Sequence, residues 1–185
     1  GGQHSGEYWY VKVIGAKIAA SGAISDSATG RAILCEATGN SSTYGIAVSQ
    51  VHWCIARDNT LISGGHGFRS GWFASFCIAY NNGTTVDGFG TSTINSHCIA
   101  YGNGRHGFNI VNNSPTQINC IAEANLAYGW SGGTGINSVL IRCADYNNTS
   151  GRKNVATGSI AEIGSITASG GSFFTNAAIA DFTLN

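Results

Sequence analysis

The chain has 185 residues, of which 43% are hydrophobic and only 10% are charged, enough apolar sequence for one domain with a continuous core. Lys plus Arg and Asp plus Glu number 9 each, so no broad electrostatic field is present to hold nucleic acid or an anionic membrane, and neither partner is predicted. No stretch approaches the roughly 20 apolar residues of a membrane span, and the absence of Met indicates a processed chain or a piece of a longer one.

A six-residue unit that begins with cysteine recurs through the middle of the chain. The copy at residues 98–103 reads CIAYGN, and all six cysteines begin a copy, at positions 35, 54, 77, 98, 120 and 143. Successive copies therefore begin 19 to 23 residues apart. A glycine followed by an apolar residue is a second repeated feature, as in Gly67-Phe68 and Gly107-Phe108. Two repeated features in one period of about 22 residues predict a solenoid in which each repeat forms one coil.

In chain order, residues 1–29 are predicted to be an entry segment and first coil, with a strand over residues 8–14. Residues 30–150 carry the regular coils, each with a strand leading to Cys-x-Ala, a turn at Asn and a second strand opened by Gly. Residues 151–185 are predicted to be the terminal coils and closing segment of the same domain. The phenylalanines of this last stretch, such as Phe173 and Phe174, are expected to close the open end of the core.

Alternation along the Cys-x-Ala strand places both small residues on one face, which is assigned to the interior. Equivalent residues of successive coils lie about 4.8 Å apart. The cysteines are therefore predicted to form a buried column of free, stacked thiols, although a disulfide between neighbours satisfies the allowed distances. No Cys-x-x-Cys pair is present, so no zinc site is predicted. Asparagine ends all six units, as in Asn40 and Asn103, and is predicted to take a left-handed bend and to stack its amides.

The period of about 22 residues, the asparagine turn and the final stretch from Phe174 to Leu184 resemble the right-handed parallel β-helix superfamily of pectate lyases and phage tailspikes. The resemblance covers about residues 30–185. It implies an all-β fold, a single right-handed parallel β-helix of roughly seven to eight coils. Leucine-rich repeats have a similar period but need several leucines per repeat, and leucine is scarce here. The resemblance also implies a place in a phage virion or outside the cell on a bacterial surface.

Carbohydrate is the ligand class that the resemblance implies. The polygalacturonases of this superfamily use an Asn-Thr-Asp segment, an Asp-Asp pair, a Gly-His-Gly and an Arg-x-Lys, and here only Gly65-His66-Gly67 is present. Because that match falls on the repeated glycine, it is interpreted as coincidence. Pectate lyases need a calcium-binding cluster of carboxylates, whereas the acids of this chain are scattered. No metal and no cofactor are therefore predicted.

The sharpest candidate for chemistry is the column of residues directly before the repeated glycine. If the registers hold, its titratable members His66, Asp87 and His106 lie on consecutive coils about 4.8 Å apart, where they can share protons or bind a divalent metal ion. Tyr44 and Tyr128 flank them and suit a sugar. The competing interpretation, which the repeat pattern favours, is that all five are polar turn residues.

A second candidate is the outer face of the Cys strand, which is too apolar for plain exposure to solvent. Three interpretations are open: a contact between subunits, a trimer among the options; a surface covered by a segment of this or a longer chain; and an aromatic platform for glycan stacking. Arg105 and Arg69, near the glycine turns, can hold acidic sugars. The face is formed by Trp53, Phe76, His97, Ile55, Ile78, Ile99, Ile121, Arg57, Tyr80, Tyr101 and Tyr146.

These observations predict a non-catalytic structural or adhesive module. It is expected to assemble through the apolar outer face, with its own copies or with other virion or surface subunits, and to contact host glycans. The absence of a recognisable acid–base constellation argues against an enzyme. The alternative is a polysaccharide depolymerase, a lyase or a glycoside hydrolase, whose acids are Asp87 with Glu123 or Asp58, or come from a neighbouring subunit.

Overall fold

The computed structural model describes residues 6–15, 17–25, 30–60, 64–90, 93–110, 115–167, 171–176 and 181–184. Within these ranges every regular element is a β-strand, and all strand pairs of the two large sheets are parallel. The described residues include no helix that is long and apolar enough to span a membrane. The predicted all-β fold is confirmed: the chain is a parallel β-solenoid with about 22 residues per coil, consistent with a right-handed β-helix.

The smaller of the two large sheets takes one short strand from each coil. Neighbouring strands pair in register, so that Ile55, Ile78 and Ile99 lie side by side. From Glu36 to Thr167 the chain makes about six regular turns, and one further strand precedes them. The strands are β2 (Lys12–Ile14), β5 (Glu36–Thr38), β7 (Ile55–Arg57), β9 (Ile78–Tyr80), β12 (Ile99–Tyr101), β15 (Ile121–Glu123), β17 (Ala144–Tyr146) and β19 (Ile166–Thr167).

The larger sheet covers the other two sides of the coil. Its long strands bend, so that one strand pairs with two shorter ones; β8 pairs with β10 through its first half and with β11 through its second. The strands are β1 (Glu7–Trp9), β3 (Lys17–Ser25), β4 (Arg31–Ile33), β6 (Ser41–His52), β8 (His66–Ser75), β10 (Asp87–Gly90), β11 (Ile94–Ser96), β13 (Phe108–Asn109), β14 (Thr116–Ile118), β16 (Tyr128–Ile141) and β18 (Gly151–Ile163). The hairpin strands β20 (Phe174–Asn176) and β21 (Asp181–Leu184) pair only with each other.

The interior is filled by the residues that recur at the same position in every coil. All six cysteines are free and buried, as predicted, and burial raises the pKa of the Cys98 thiol well above its ordinary value, which favours the neutral thiol. Opposite them the apolar residues after the repeated glycine form a continuous stack. The ring centroids in this stack are 5.0, 4.8 and 5.9 Å apart, from Phe68 through Phe89 and Phe108 to Trp130.

The asparagines form a buried hydrogen-bonded ladder, which confirms their predicted stacking. Asn82 Nδ2 donates to Asn103 Oδ1 at 2.8 Å and also to the Ala56 carbonyl oxygen at 3.0 Å, which satisfies a backbone group at the bend. The predicted left-handed conformation of these asparagines is wrong, because the residue before each asparagine has the positive φ instead. Those residues are Gly39, Asp58, Asn81, Gly102, Ala124 and Asn147.

Each coil has a second left-handed corner, directly before the cysteine. This corner splits the strand predicted over residues 8–14 into β1 and β2, with Tyr10 at φ 53° between them. Trp53, Phe76 and His97 were expected on the outer face of the strand. That expectation is wrong, because they lie at this corner instead. The corner residues other than glycine are Tyr10, Leu34, Trp53, Phe76, His97, Asn119 and Arg142.

A segment between β19 and β21 folds back over the outside of the smaller sheet. We call residues Gly171–Asn176 the strap. Phe174 meets Tyr101 edge-on, with ring centroids 6.2 Å apart, and Phe173 meets Tyr146 in the same way at 6.4 Å. The expectation that these two phenylalanines close the end of the core is therefore wrong.

The interior itself becomes polar in the last full coil. Asp145 occupies the column that holds alanine in the preceding coils, and Thr167 follows it in the next. Arg152 aligns with the repeated glycine, and its Nη1 lies 3.3 Å from Asp145 Oδ1. The apolar core thus ends in a buried ion pair instead of a layer of phenylalanine.

Candidate functional site

The predicted column of titratable residues exists in the structure. His66 pairs in register with Tyr44 on one side and with Asp87 on the other. The rings of Tyr44 and His66 stack with centroids 5.7 Å apart, and so do those of His106 and Tyr128. His66 Nδ1 lies 3.2 Å from Asp87 Oδ2. Parallel pairing of β6, β8 and β10 brings Tyr44, His66 and Asp87 together, as the repeat predicted.

Asp87 is the centre of this column and is completely buried. Arg105 donates to its carboxylate through Nε at 2.6 Å and through Nη2, so the pair is bidentate. The His106 backbone N–H donates to Oδ1 at 3.1 Å, and Asn109 Nδ2 donates to Oδ2 at 2.6 Å. The carboxylate therefore ties the turn before β10 to the turn before β13.

These contacts decide the chemistry that Asp87 can perform. Burial by itself raises the pKa of Asp87, but the nearby His66 imidazole and the hydrogen bonds from Arg105 and Asn109 outweigh it and hold that pKa well below its ordinary value. Burial lowers the pKa of His106, which favours its neutral imidazole. An acid that stays ionised and whose oxygens are occupied by donors has no proton to give to a leaving group. Asp87 is therefore unsuited to act as a general acid.

The partner acids of the depolymerase alternative are also engaged. Glu123 is buried on the outside of the smaller sheet, which is a different sheet from that of Asp87. Asp58 accepts from Arg57 Nη1 at 2.8 Å. Among the described residues, no group of three or more His, Cys, Asp or Glu side chains is arranged to hold a metal ion.

The corners before the cysteines form an exposed ridge along one edge of the solenoid. We call Tyr10, Leu34, Trp53, Phe76 and His97 the corner ridge. Tyr10 is 74% exposed, Trp53 55% and Phe76 48%. The rings of Trp53 and Phe76 stack at 5.6 Å, and those of Phe76 and His97 at 4.8 Å. The rings therefore cover each other's faces and present their edges to solvent.

The rest of the predicted apolar face divides into two parts. Ile55, Ile78 and Ile99 are half-buried and continue the corner ridge sideways. Tyr80 is buried and Tyr101 half-buried, and the strap packs against Tyr101. Over that part, cover by a segment of this chain is the interpretation that the structure supports.

The two arginines proposed for acidic sugars are placed differently. Arg105 forms an ion pair with Asp87, so its guanidinium is not available to an anionic ligand. Arg69 is exposed and lies over the ring of Tyr44, with its guanidinium carbon 4.8 Å from the ring centroid. Of these two arginines, only Arg69 is exposed to solvent.

Sequence reasoning missed two parts of the surface. Tyr10 and Leu34 belong to the corner ridge, but Tyr10 precedes Val11 instead of a cysteine, and Leu34, although it precedes Cys35, was not assigned to the apolar face. The position before each cysteine was the available signal, because bulky residues recur there. The contact between the strap and Glu123 carries no sequence signal, since the two lie 49 or more residues apart.

The fold and these contacts define the class of protein: a parallel β-solenoid with a buried asparagine ladder. No match to this chain was found among protein-family models, curated proteins or solved structures.

Proposed function

We propose that the chain is a non-catalytic structural module of a phage virion or bacterial surface protein, and that it assembles with its own copies through the corner ridge and the adjoining isoleucines. The exposed row of aromatic residues at left-handed corners is the observation that carries this proposal. The setting on a virion or cell surface follows from the family resemblance.

The backbone conformation of the ridge residues supports a functional role for their side chains. A left-handed residue with a side chain costs roughly 1–2 kcal/mol, and bulky side chains are rare there. The corner before each asparagine follows that rule, with small or polar residues such as Gly39 and Asn81. The corner before the cysteine has Trp53 at φ 50° and Phe76 at φ 52°. Ring stacking worth about 0.5–1.5 kcal/mol per pair only offsets the strain.

The ridge is large enough for a contact between copies. An aromatic side chain offers about 150–250 Å². Tyr10, Trp53 and Phe76, together with Trp9, which lies beside Tyr10 outside the ridge and is 51% exposed, therefore present about 400–500 Å² of apolar surface. Two such surfaces facing each other bury about 900 Å², and the half-buried isoleucines bring the total to roughly 1,000 Å², the lower limit for a specific interface.

The period of the ridge favours a second copy over a sugar. Ring edges recur along it at about the strand spacing of 4.8 Å, and another copy of this solenoid has the same spacing. The chain has no net charge to oppose association. Glycan stacking needs free ring faces, and those of Phe76 are covered by Trp53 and His97. An adhesive role toward host glycans is the second candidate, supported by the exposed Arg69 over Tyr44.

The test is native mass by light scattering on the wild type and on Trp53→Asn/Phe76→Asn. Asparagine suits the left-handed corner and already occupies it at Asn119, so the variant keeps its fold. We expect a defined oligomer for the wild type and a monomer for the variant. Trp72→Asn removes an aromatic residue that is 68% exposed outside the ridge and serves as the matched control. An oligomer that survives the double substitution overturns the proposal.

The same samples address the depolymerase alternative through release of reducing sugar from a panel of bacterial polysaccharides. No release is expected. Release that disappears in Asp87→Asn, with the fold retained, would favour the enzyme.

A further inference from the structure

Glu123 has an unusual environment for a residue on an outer face. It lies on β15 between Tyr101 of β12 and Tyr146 of β17, yet it is only 2% exposed. A carboxylate on such a face normally remains in water, because removing an ionised group from water is costly unless donors replace the solvent. No Lys, Arg or His forms an ion pair with Glu123 among the residues that the structure describes. The cover over Glu123 must therefore supply its hydrogen bonds.

The strap supplies them. The Ser172 hydroxyl donates to Glu123 Oε1, and the Phe173 backbone N–H donates to Oε2 at 3.0 Å. The two aromatic rings of the strap then flank the carboxylate, one against Tyr101 and the other against Tyr146. A short extended segment thus makes contacts with three consecutive strands. It uses one backbone donor, one hydroxyl and two aromatic rings.

The surface under the strap is built without it. Tyr101, Glu123 and Tyr146 are held in line by the parallel pairing of β12, β15 and β17, and the strap adds no strand to that sheet. Its own strand β20 pairs only with β21. Release of the strap therefore leaves the strand pairing of the two large sheets intact over the described residues.

We propose that Tyr101, Glu123 and Tyr146 form a binding site for an extended peptide, and that the strap of a second copy of this chain takes the site in place of the chain's own strap. The ligand class is a segment with a hydroxyl residue followed by two aromatic residues. A second copy offers that segment with identical chemistry, so the exchange loses no contact and is a low-cost route to association. The site is separate from the corner ridge and does not depend on it.

The peptide site is tested with a synthetic peptide of residues 169–185 that carries a fluorophore at its N-terminus, by anisotropy against the full chain. In the wild type the tethered strap has a high effective concentration and excludes the peptide. In Phe173→Ala/Phe174→Ala the strap is weakened, and we expect the peptide to bind at least tenfold more tightly than to the wild type.

Adding Glu123→Gln to that variant is expected to weaken the peptide at least tenfold, whereas Glu36→Gln, on the same sheet face, leaves binding unchanged. A peptide with both phenylalanines replaced by alanine should not bind. Circular dichroism and thermal melting establish that each variant keeps the solenoid. Binding that Glu123→Gln leaves unaltered, or no binding to the weakened variant while it is folded, overturns the site.

Exchange between copies is measured by fluorescence energy transfer between two pools of full chain. One pool is labelled at the C-terminus and the other on the solenoid. Both pools carry Trp53→Asn/Phe76→Asn, so that contact through the corner ridge does not contribute. A signal that grows with concentration and is lost with Glu123→Gln is expected. No transfer at any concentration overturns the exchange, and this result is independent of whether the ridge assembles.

Discussion

The buried ion pair at the end of the core allows a sharp test of how the solenoid ends. In the preceding coils, glycine occupies the position of Arg152 and alanine occupies the position of Asp145. These two columns are in contact, because a Cβ added to Gly88 would lie 3.1 Å from the Ala100 Cβ. In the last full coil the same columns contain Arg152 and Asp145. The two charges belong together, and removing either one alone should be far more harmful than removing both.

The size of the single effects follows from the contacts. Loss of one partner from a buried pair costs about 3–5 kcal/mol. Arg152 keeps a second carboxylate, since its Nη2 lies 2.7 Å from Glu162 Oε2, and 18% of its side chain is exposed. We therefore expect Asp145→Ala to lose about 2–3 kcal/mol, which corresponds to roughly 5–10 °C in Tm for a chain of this length. Arg152→Met should lose a similar amount.

The single variant Arg152→Met should also be sensitive to pH. Burial raises the pKa of Asp145, and the neighbouring arginine opposes that rise. Without the arginine the pKa rises further. Because a raised carboxyl pKa destabilises the fold only above the unfolded value, the loss relative to the wild type should shrink as the pH falls toward 3.8, the ordinary value for Asp.

The double variant Asp145→Ala/Arg152→Met should lie within about 1 kcal/mol of the wild type, because no charge remains buried and Met keeps a side chain against Trp130. Urea titrations followed by circular dichroism give the four stabilities and a coupling energy of at least about 3 kcal/mol. The pair of Lys12 and Glu36, 2.7 Å apart, with half of the Lys12 side chain and 21% of the Glu36 side chain exposed, is the control and should show a coupling below about 1 kcal/mol. If the two single losses simply add in the double variant, the pairing is not what holds this end of the core.

Three further outcomes follow from the interior columns. Asn103→Ala should lose about 3–5 kcal/mol in urea titrations, because Asn82 Nδ2 and the Ala79 carbonyl oxygen lose buried partners; a loss below about 1 kcal/mol would contradict the ladder's role. Cys98→Ala should cost about 1 kcal/mol in thermal melts, and Cys98→Leu should cost more, because a larger side chain strains both neighbouring coils; the reverse order would contradict the packed column. Asp87→Asn should be less stable than the wild type at neutral pH by about 2–4 kcal/mol. Because the pKa of Asp87 is lowered on folding, wild-type stability falls as the pH drops below about 3.8, and this fall should be smaller in the variant.

Much of the fold could be read from the repeat. Asn103 and its equivalents mark one bend of every coil, and the inward position of Cys98 and Ala100 follows from their size and spacing. The position of His66 beside Asp87 also follows, because in-register pairing carries a column in sequence to a column in space. The protonation of Asp87 does not follow, because its donors are Arg105, which lies in the variable turn before β13, and Asn109 of β13 itself.

The sequence by itself determined the solenoid, its period and its interior columns, because each coil repeats the same local choices and short-range alternation separates inside from outside. The tertiary structure alone decided which outer residues remain exposed. The left-handed corner turned Trp53 and Phe76 out of the strand face and into a ridge. The strap buried Glu123 through contacts that span 49 and 50 residues. The strap contact does not follow from local pattern, because it depends on how distant segments meet once the coils have stacked, whereas the corner recurs at one position of the repeat.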